Sequence, residues 1–180
     1  AGAAAVAARV LLPRVSVVVT HYERPELLPQ AVRSVAEQTY PADLVELVVI
    51  DDGSPAESGA AAALDALEAE WGFRERGWRL LREPNRYLGG ARNAAFRAAG
   101  GEYVLFMDDD NYAKPHEVWD FVMAAESTGA DVLTSSLDFV WGKDPPPRDA
   151  LRVKHSLPRA PNSSKGADGG AGGGGSARPS

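Results

Sequence analysis

The sequence predicts an α/β fold built on a mostly parallel sheet. Three observations support this prediction: short aliphatic runs alternate with segments of helical periodicity, the runs are apolar almost throughout, and polar or glycine-rich residues end most of them. Continuous apolar runs of this length are typical of strands that are buried on both faces. Strands that alternate with helices imply parallel pairing with right-handed crossovers.

The amino-terminal half predicts two long strands and two helices. Residues 15–20 form a β-branched run that ends in polar residues, which is the pattern of a buried strand. Apolar residues then recur at helical spacing from Pro25 until Pro41 ends the segment. Residues 44–50 predict a second buried strand, closed by an Asp-Gly turn. An Ala- and Leu-rich helix is expected to follow over residues 57–70.

The second half predicts three more strands and two more helices. A short strand is expected over residues 78–81, and a helix over 90–99 that two glycines end. Residues 102–107 predict another buried strand. The next helix opens at Pro115, and a last strand is expected over residues 131–139.

Composition divides the chain into three segments. Residues 1–12 are of low complexity and rich in alanine, residues 13–142 carry the predicted domain, and residues 143–180 are rich in proline and glycine. The two end segments have too little apolar surface to offset the entropy of folding, so we expect them to be disordered.

Charge and cysteine content exclude several functions. The 180 residues carry a formal net charge of −6 and include no cysteine. The acidic balance argues against a nucleic-acid partner, because phosphate backbones are bound by clustered Lys and Arg. Without cysteine there are no disulfides, thiolate metal sites or cysteine nucleophiles. No membrane span or signal peptide is recognisable, which leaves the compartment open and slightly favours the cytoplasm.

Polar residues follow three of the predicted strands. Residues 20–24 follow the first, Asp51 and Asp52 end the second, and residues 108–110 follow the strand that ends at Met107. In open α/β sheets the ligand crevice lies at the carboxyl ends of the strands. We therefore expect these three polar segments to meet at one edge of the sheet.

The acidic triplet Asp108–Asp110 is a candidate metal site. Burial of three adjacent, unpaired carboxylates is costly, so a cation or altered protonation is expected there. Oxygen ligands without His or Cys suit Mg²⁺ or Mn²⁺. Asp108 and Asp110 point the same way if the strand continues through them. The alternative is a solvated acidic loop.

Two further segments have both a functional and a structural interpretation. Residues 51–54 are either a simple turn or the source of a carboxylate that binds a base N–H or a ribose hydroxyl. Residues 89–93 either present backbone amides and Arg92 to a diphosphate or simply start a helix with small residues. Their spacing is not that of a dinucleotide-binding loop, so we assign no NAD site. Structural or surface roles are expected for His21, His116 and His155, and core positions for Trp119 and Trp141.

Several ordered motifs together resemble one known family. They are residues 15–22, residues 49–54, and residues 101–111 with Pro115 behind them. Over residues 14–140 the chain is similar to the inverting glycosyltransferase family 2. The resemblance implies the GT-A fold, a Rossmann-like three-layer sandwich with a mostly parallel central sheet, expected here to be incomplete at the carboxyl-terminal acceptor side.

The resemblance also implies ligands and their binding residues. It implies a nucleotide-diphosphate sugar donor, with a UDP-sugar favoured, an Mn²⁺ or Mg²⁺ cofactor, and an unknown glycan, lipid or protein acceptor. The implied nucleotide-sugar contacts are Thr20, Tyr22, Glu23, Asp52, Arg92, Asp108 and Asp109. Asp52 would face the base, and Asp109 would lie beside the ribose or the donor sugar. Asp108 and Asp110 match the two acids of the family's D-x-D metal motif, and Asp110 is the expected direct ligand.

One element of the family pattern is not recognisable. The general base of the family comes from an acidic motif downstream of a glycine-containing acceptor loop, and after Trp141 the chain has a proline run, a polar segment and a Gly-rich tail. We therefore assign no catalytic base. Two alternatives remain: a non-catalytic binding or assembly module with the same fold, and a nucleotidyltransferase, against which the lack of a basic, glycine-rich phosphate loop speaks.

Overall fold

The computed structural model describes residues 12–137 and residue 139. In this part of the chain one sheet of four strands is accompanied by five helices. The strands are β1 (Val15–His21), β2 (Val45–Asp51), β3 (Arg79–Arg82) and β4 (Tyr103–Asp108). The helices are α1 (Leu28–Ala36), α2 (Ala60–Trp71), α3 (Phe73–Arg76), α4 (Tyr87–Ala98) and α5 (Glu117–Thr128).

The sheet is entirely parallel in the described residues, with the strand order β3-β2-β1-β4. β1 is central, and all seven of its residues are buried. At its carboxyl end Thr20 is paired with Ile50 of β2 and with Asp108 of β4. The three strand ends therefore lie side by side, which confirms the predicted parallel sheet and the predicted meeting of the three polar segments.

Helices on both faces of the sheet give a three-layer α/β sandwich. Val17 and Val19 of β1 belong to the larger core, whose members are fully buried aliphatic side chains for the most part. The helices α1, α2 and α5 contribute Leu28, Val32, Val35, Leu64, Leu67, Val118 and Val122 to it. A smaller core under α4 consists of Val18, Val48, Ile50, Ala91 and Ala95. Each large aliphatic side chain buried in this way stabilises the fold by roughly 1.5–3 kcal/mol.

The helix predicted over residues 90–99 begins three residues earlier, at Tyr87. Adjacent glycines have low helix propensity, so the sequence alone places the start after them, whereas packing onto the sheet extends the helix across both. At Gly90 an added Cβ would lie 2.5 Å from the Cβ of Arg86. A small residue is thus required there by packing, as one of the two interpretations of this segment expects.

The last predicted strand is wrong for the residues that can be described. Residues 131–137 form no strand; Val132 and Leu137 are exposed, at 82% and 67%, and Leu133 is only partly buried. The preference of such residues for strands reflects burial against neighbouring strands, and among the described residues no strand pairs with this segment. Phe139, the end of the predicted strand, is not in a strand either. Residue 138 lies outside the described residues.

Trp119 contacts the larger core, as expected for a core aromatic. Its ring lies edge-on to that of Tyr40, with 4.9 Å between the ring centroids. Trp141, His155, residues 1–11 and the predicted tail over 143–180 lie outside the described residues. Among the helices that can be described, none has the length and apolar character to cross a membrane.

Candidate functional site

A crevice of about 710 Å³ opens at the carboxyl edge of the sheet. It lies where β1, β2 and β4 end and where the chain enters α4. Its volume is within the usual range for sites that bind small molecules. The lining residues are Thr20, His21, Tyr22, Arg24, Asp52, Asn85, Tyr87, Leu88, Ala91 and Asp108.

Asp108 is held by side chains from two other elements. Its Oδ1 accepts a hydrogen bond from Thr20 Oγ1 at 3.0 Å and another from Arg92 Nη2 at 2.7 Å. Thr20 belongs to β1 and Arg92 to α4, so three elements converge on one carboxylate. The structure thus brings together three of the predicted nucleotide-sugar contacts, two of which line the crevice.

Asp52 ties the end of β2 to the loop that precedes α4. It is buried, and its Oδ1 accepts a hydrogen bond from the backbone N–H of Arg86 at 2.7 Å. Its own backbone N–H donates to the carbonyl of His21 at 3.0 Å. At Gly53, with φ of +76°, an added Cβ would lie 2.4 Å from the backbone nitrogen of Asn85. The Asp-Gly pair is therefore required for the loop to approach the strand ends.

Tyr22 and Glu23 lie at the rim of the crevice, directly after β1. The hydrogen bond from Tyr22 to the Glu23 side chain raises the pKa of Tyr22, and a second hydrogen bond to Asn85 partly offsets this rise. Glu23 adopts a left-handed backbone conformation, with φ of 57°, and its N–H donates to Ser54 Oγ at 2.9 Å. Tyr22 lines the crevice, and Glu23 is exposed beside it.

Asp109 lies inside the protein. It is buried, and its Oδ2 is 2.7 Å from Nδ1 of His21, which is also buried. This distance is that of a hydrogen bond between the imidazole and the carboxylate. His21 Nε2 is buried and has no partner among the described residues. The structure therefore gives His21 the structural position expected for it and places Asp109 beneath the crevice wall.

Arg24 bridges the other two acids of the turn. It is hydrogen-bonded to Asp109 Oδ1, and its Nη1 donates to Asp110 Oδ2 at 2.9 Å. Burial lowers the pKa of Arg24, but the hydrogen bond to Asp110 and the nearby carboxylates raise it above its ordinary value. The guanidinium is therefore a permanent positive charge at this site.

The charge of the acidic turn is balanced differently from the sequence-based expectation. The sequence suggests three unpaired carboxylates that need a cation or altered protonation, whereas Arg92 and Arg24 form ion pairs with them and His21 is hydrogen-bonded to Asp109. β4 ends at Asp108, and the Asn111 N–H closes a turn by donating to the Asp108 carbonyl at 3.1 Å. The strand therefore does not continue to Asp110. The expectation that Asp108 and Asp110 point the same way depended on that continuation, so it does not apply.

A divalent cation fits the acidic turn only as a site shared with a ligand. Among the described residues there is no group of three or more His, Cys, Asp or Glu side chains that could hold a metal ion. Asp108 and Asp110 supply carboxylate oxygens, which Mg²⁺ and Mn²⁺ accept as ligands. Mg²⁺ is commonly held by one or two carboxylates, substrate phosphates and water. The donor set is therefore compatible with a cation whose coordination is completed by a diphosphate.

Four lining residues were not assigned a role from the sequence. Arg24 belongs to the polar segment after β1, which is a signal that was available. Asn85, Tyr87 and Leu88 lie in the loop and first turn before the predicted helix start, so their position depends on where α4 begins. Tyr87 is 82% exposed and has a φ of 59°, a strained conformation for a bulky side chain. Leu88 is 49% exposed, so the rim next to α4 is apolar.

Comparison with known proteins identifies the family. A sequence profile described as Glycosyl transferase family 2 matches residues 16–169. The chain belongs to this family. The match covers the four described strands from the second residue of β1 onward, and it includes the three polar strand ends. The resemblance drawn from the motifs is thus confirmed.

Curated relatives of the chain include glycosyltransferases and a succinoglycan biosynthesis protein. An uncharacterized glycosyltransferase, alr2836 of Nostoc sp., is 31% identical over 131 residues, which cover 73% of this chain and 38% of that protein. The succinoglycan biosynthesis protein ExoO of Rhizobium meliloti is 32% identical over 129 residues, covering 72% of this chain and 34% of that protein. The chain spans about a third of the length of these relatives.

Solved structures with the same fold are GT-A glycosyltransferases. TarS (residues 1–349) of Staphylococcus aureus, in complex with UDP-GlcNAc, aligns with a TM-score of 0.59 and 28% identity over 74% of this chain and 37% of that chain. The mannosyltransferase PcManGT of Pyrobaculum calidifontis, in complex with GDP-Man and Mn²⁺, aligns with a TM-score of 0.56 and 28% identity over 68% of this chain and 34% of that chain. The predicted GT-A fold is therefore confirmed.

Proposed function

We propose that this chain binds a nucleotide-diphosphate sugar together with a divalent cation, as the donor-binding part of an inverting glycosyltransferase. The observation that carries the proposal is the convergence of Thr20, Asp52 and Asp108, from three parallel strands, on one crevice. The relatives support it, since TarS has been solved with UDP-GlcNAc and PcManGT with GDP-Man and Mn²⁺.

The base and ribose of the donor would bind between the ends of β1 and β2. Tyr22 offers an aromatic face that is 42% exposed, and aromatic side chains stack on nucleobases. Asp52 has a carboxylate that lines the crevice and can accept a hydrogen bond from a base N–H. Glu23 and Thr20 add polar oxygens on the β1 side. TarS is solved with UDP, so uracil is the base we expect first.

The diphosphate would bind at the acidic turn. Asp108 and Asp110 are the residues that would hold the cation, and the cation would supply Lewis-acid stabilisation of the departing diphosphate. Arg92, which already donates to Asp108 at 2.7 Å, is positioned to donate to a phosphate oxygen. Asp109 would act by fixing the turn through His21 rather than by direct contact with the sugar.

Transfer requires an acceptor hydroxyl that attacks the anomeric carbon from the face opposite to the diphosphate. The attack forms the new glycosidic bond as the bond to the diphosphate breaks, and the hydroxyl proton passes to a general base, so the configuration inverts. We assign that base to none of the described residues. UDP-sugars are the first donors to assay.

The proposal is tested by calorimetry with UDP and with GDP in the presence of Mn²⁺. We expect at least one of them to bind, and we expect Asp110→Ala to weaken Mn²⁺-dependent binding by about tenfold or more, which corresponds to ~1.4 kcal/mol. Asp43→Ala is the matched control, because Asp43 is an exposed aspartate in the turn before β2. Its affinity should equal that of the wild type.

One result would overturn the proposal, and a second would remove Asp110 from the proposed metal ligands. Circular dichroism first verifies that each variant is folded. No heat with either nucleotide in the folded wild type would exclude a donor site in this chain. Equal affinity of the wild type and Asp110→Ala would exclude Asp110 as a metal ligand while leaving nucleotide binding in place.

A non-catalytic binding module is the second candidate. The observation that favours it is the pairing of the acidic turn with Arg24 and Arg92, which allows an anionic ligand to be bound without a cation. The discriminating experiment is an assay of donor hydrolysis and sugar transfer with Mn²⁺ present. Turnover by this chain would exclude an inert module.

A further inference from the structure

We propose that Arg24 occupies the place of the cation on the acidic turn. When the cation binds Asp110, Arg24 exchanges this carboxylate for the diphosphate, so that cation and nucleotide bind cooperatively. This inference rests on the proposed function, because it names the residue that couples the two ligands of the same site. The geometry points to Arg24 because its guanidinium joins a buried carboxylate to an exposed one.

The two carboxylates that Arg24 contacts differ in accessibility. The Asp109 side chain is fully buried and is also bound by His21. The Asp110 side chain is 48% exposed, and Arg24 Nη1 lies 2.9 Å from its Oδ2. The contact with Asp109 therefore anchors the guanidinium, whereas the contact with Asp110 is open to exchange.

A cation that binds Asp110 competes directly with Arg24. Both are positive, and they would share one carboxylate at contact distance, where the repulsion between like charges is strongest. The charge of Asp108 does not offset this repulsion, because Arg92, 2.7 Å from its Oδ1, already balances it. In the absence of a diphosphate, Arg24 therefore weakens cation binding.

A diphosphate reverses the sign of this effect. Arg24 lines the crevice and its side chain is 47% exposed, so its free N–H groups can reach a ligand there while the contact with Asp109 persists. The guanidinium matches phosphate oxygens with two parallel hydrogen bonds. Once Asp110 has passed to the cation, Arg24 gains the phosphate in exchange. Each ligand thus favours the binding of the other, and the coupling is reciprocal.

A purely structural ion pair makes a different prediction. If Arg24 only stabilised the turn, its removal would lower the stability of the fold and would leave Mn²⁺ affinity unchanged or weaker. Cation competition instead requires that removal of Arg24 tightens Mn²⁺ binding. The two roles therefore differ in the sign of one measured quantity.

The experiment measures free Mn²⁺ by electron paramagnetic resonance, with and without UDP, for the wild type and Arg24→Gln. We expect Arg24→Gln to bind Mn²⁺ about tenfold more tightly without nucleotide, because one neighbouring positive charge is removed. We also expect the factor by which UDP increases Mn²⁺ affinity to fall by about fivefold or more in the variant. Arg33→Gln is the matched control: Arg33 lies on α1, is 55% exposed, and pairs with Glu70 at 3.8 Å.

The outcomes separate this inference from the proposed function. Mn²⁺ affinity that is unchanged or weaker in Arg24→Gln overturns the inference, whatever UDP does. Equal UDP coupling in both proteins overturns it as well, and leaves the donor site standing. If no nucleotide binds either protein, the proposed function falls. The exchange to the diphosphate falls with it, and tighter Mn²⁺ binding by the variant would then support the competition at Asp110 alone.

Discussion

Two hydrogen-bonded groups of side chains fix the site before any ligand arrives. One joins Thr20 and Arg92 through Asp108, and the other joins His21 and Arg24 through Asp109. Hydrogen bonds between charged groups are strong in a partly buried environment, so these side chains need little further ordering when a ligand binds. These residues, the floor of the site, are therefore preorganised, whereas the exposed side chains at the rim are less constrained.

The sequence predicts where these residues lie but not how they pair. Thr20 and Asp108 follow apolar strands, and parallel strands end at one edge, so their proximity follows from the pattern alone. The pairing depends on the turn after β4, which turns Asp109 inward and leaves Asp110 exposed. A run of three identical residues contains no signal for that difference, so Arg24 and His21 are found as partners only in the structure.

Tyr87 is predicted to lower the stability of the fold and to raise the affinity for UDP. Its left-handed backbone costs roughly 1–2 kcal/mol in a non-glycine residue. Because the side chain is 82% exposed, Tyr87→Gly loses little burial, and after the entropy cost of glycine we expect a gain of ~0.5–1 kcal/mol in unfolding free energy. UDP affinity should fall, since the aromatic rim is lost. Urea unfolding and calorimetry measure the two effects.

Phe96→Gly provides the control for Tyr87→Gly. Phe96 is also an exposed aromatic of α4, at 56%, but it lies in the last turn with an ordinary φ, where glycine costs up to about 1 kcal/mol. The two variants should therefore change stability in opposite directions. A loss of stability in both would show that the backbone of Tyr87 is not strained.

At the scale of helices and strands, the sequence predicts best the strands that are buried on both faces. β1 and β2 are buried at every residue, and the sequence places each of them within a residue of its observed bounds. Segments that depend on their neighbours are less well predicted. The start of α4 is shifted by packing onto the sheet, and residues 131–137 pair with no strand in the part of the chain that the structure describes.

The amino end of the sheet contains a buried acid that the sequence does not single out. Glu46 of β2 accepts hydrogen bonds from Ser16 Oγ at 2.5 Å and from the Gly100 N–H at 2.7 Å. Arg79 and Arg14 lie 3.4 and 3.9 Å from its Oε1. Burial raises the pKa of Glu46, but these donors and arginines outweigh it, so that the pKa lies below its ordinary value.

This lowered pKa predicts how stability depends on pH. The stabilisation by ionised Glu46 is complete above the ordinary pKa of 4.5 and is lost as the pH falls through the lower folded value. We expect Glu46→Gln to reduce the unfolding free energy at pH 7 by about 2 kcal/mol, because a buried charged acceptor of two hydrogen bonds is replaced. Below pH 4.5 the difference from the wild type should narrow.

Urea unfolding at pH 7 and at successively lower pH checks this prediction. Glu70→Gln is the control, since Glu70 is half exposed and its pairing with Arg33 spans 3.8 Å. Its effect at pH 7 should stay within about 0.5 kcal/mol. A deficit in Glu46→Gln that is as large at low pH as at pH 7 would contradict the assigned ionisation.

At the scale of the whole molecule, β1 is both the centre of the sheet and the source of the site. It is paired on both sides and buried throughout, whereas the short strand β3 is partly exposed. We expect the amides of β1 to exchange with solvent only through global unfolding, and those of β3 to exchange faster. Hydrogen exchange followed by NMR measures this order. Equal rates in the two strands would contradict it.

Because β1 pairs with a strand that lies far behind it in the sequence, the site can form only late in synthesis. Thr20 and its partner Asp108 are 88 residues apart in the chain. At ~5–20 residues per second on the ribosome, that separation corresponds to roughly 4–18 s of translation. During this interval β1 can pair with β2 but has one open edge, and the floor of the crevice is absent. A nascent chain therefore cannot recruit its ligand to assist its own folding until β4 has emerged.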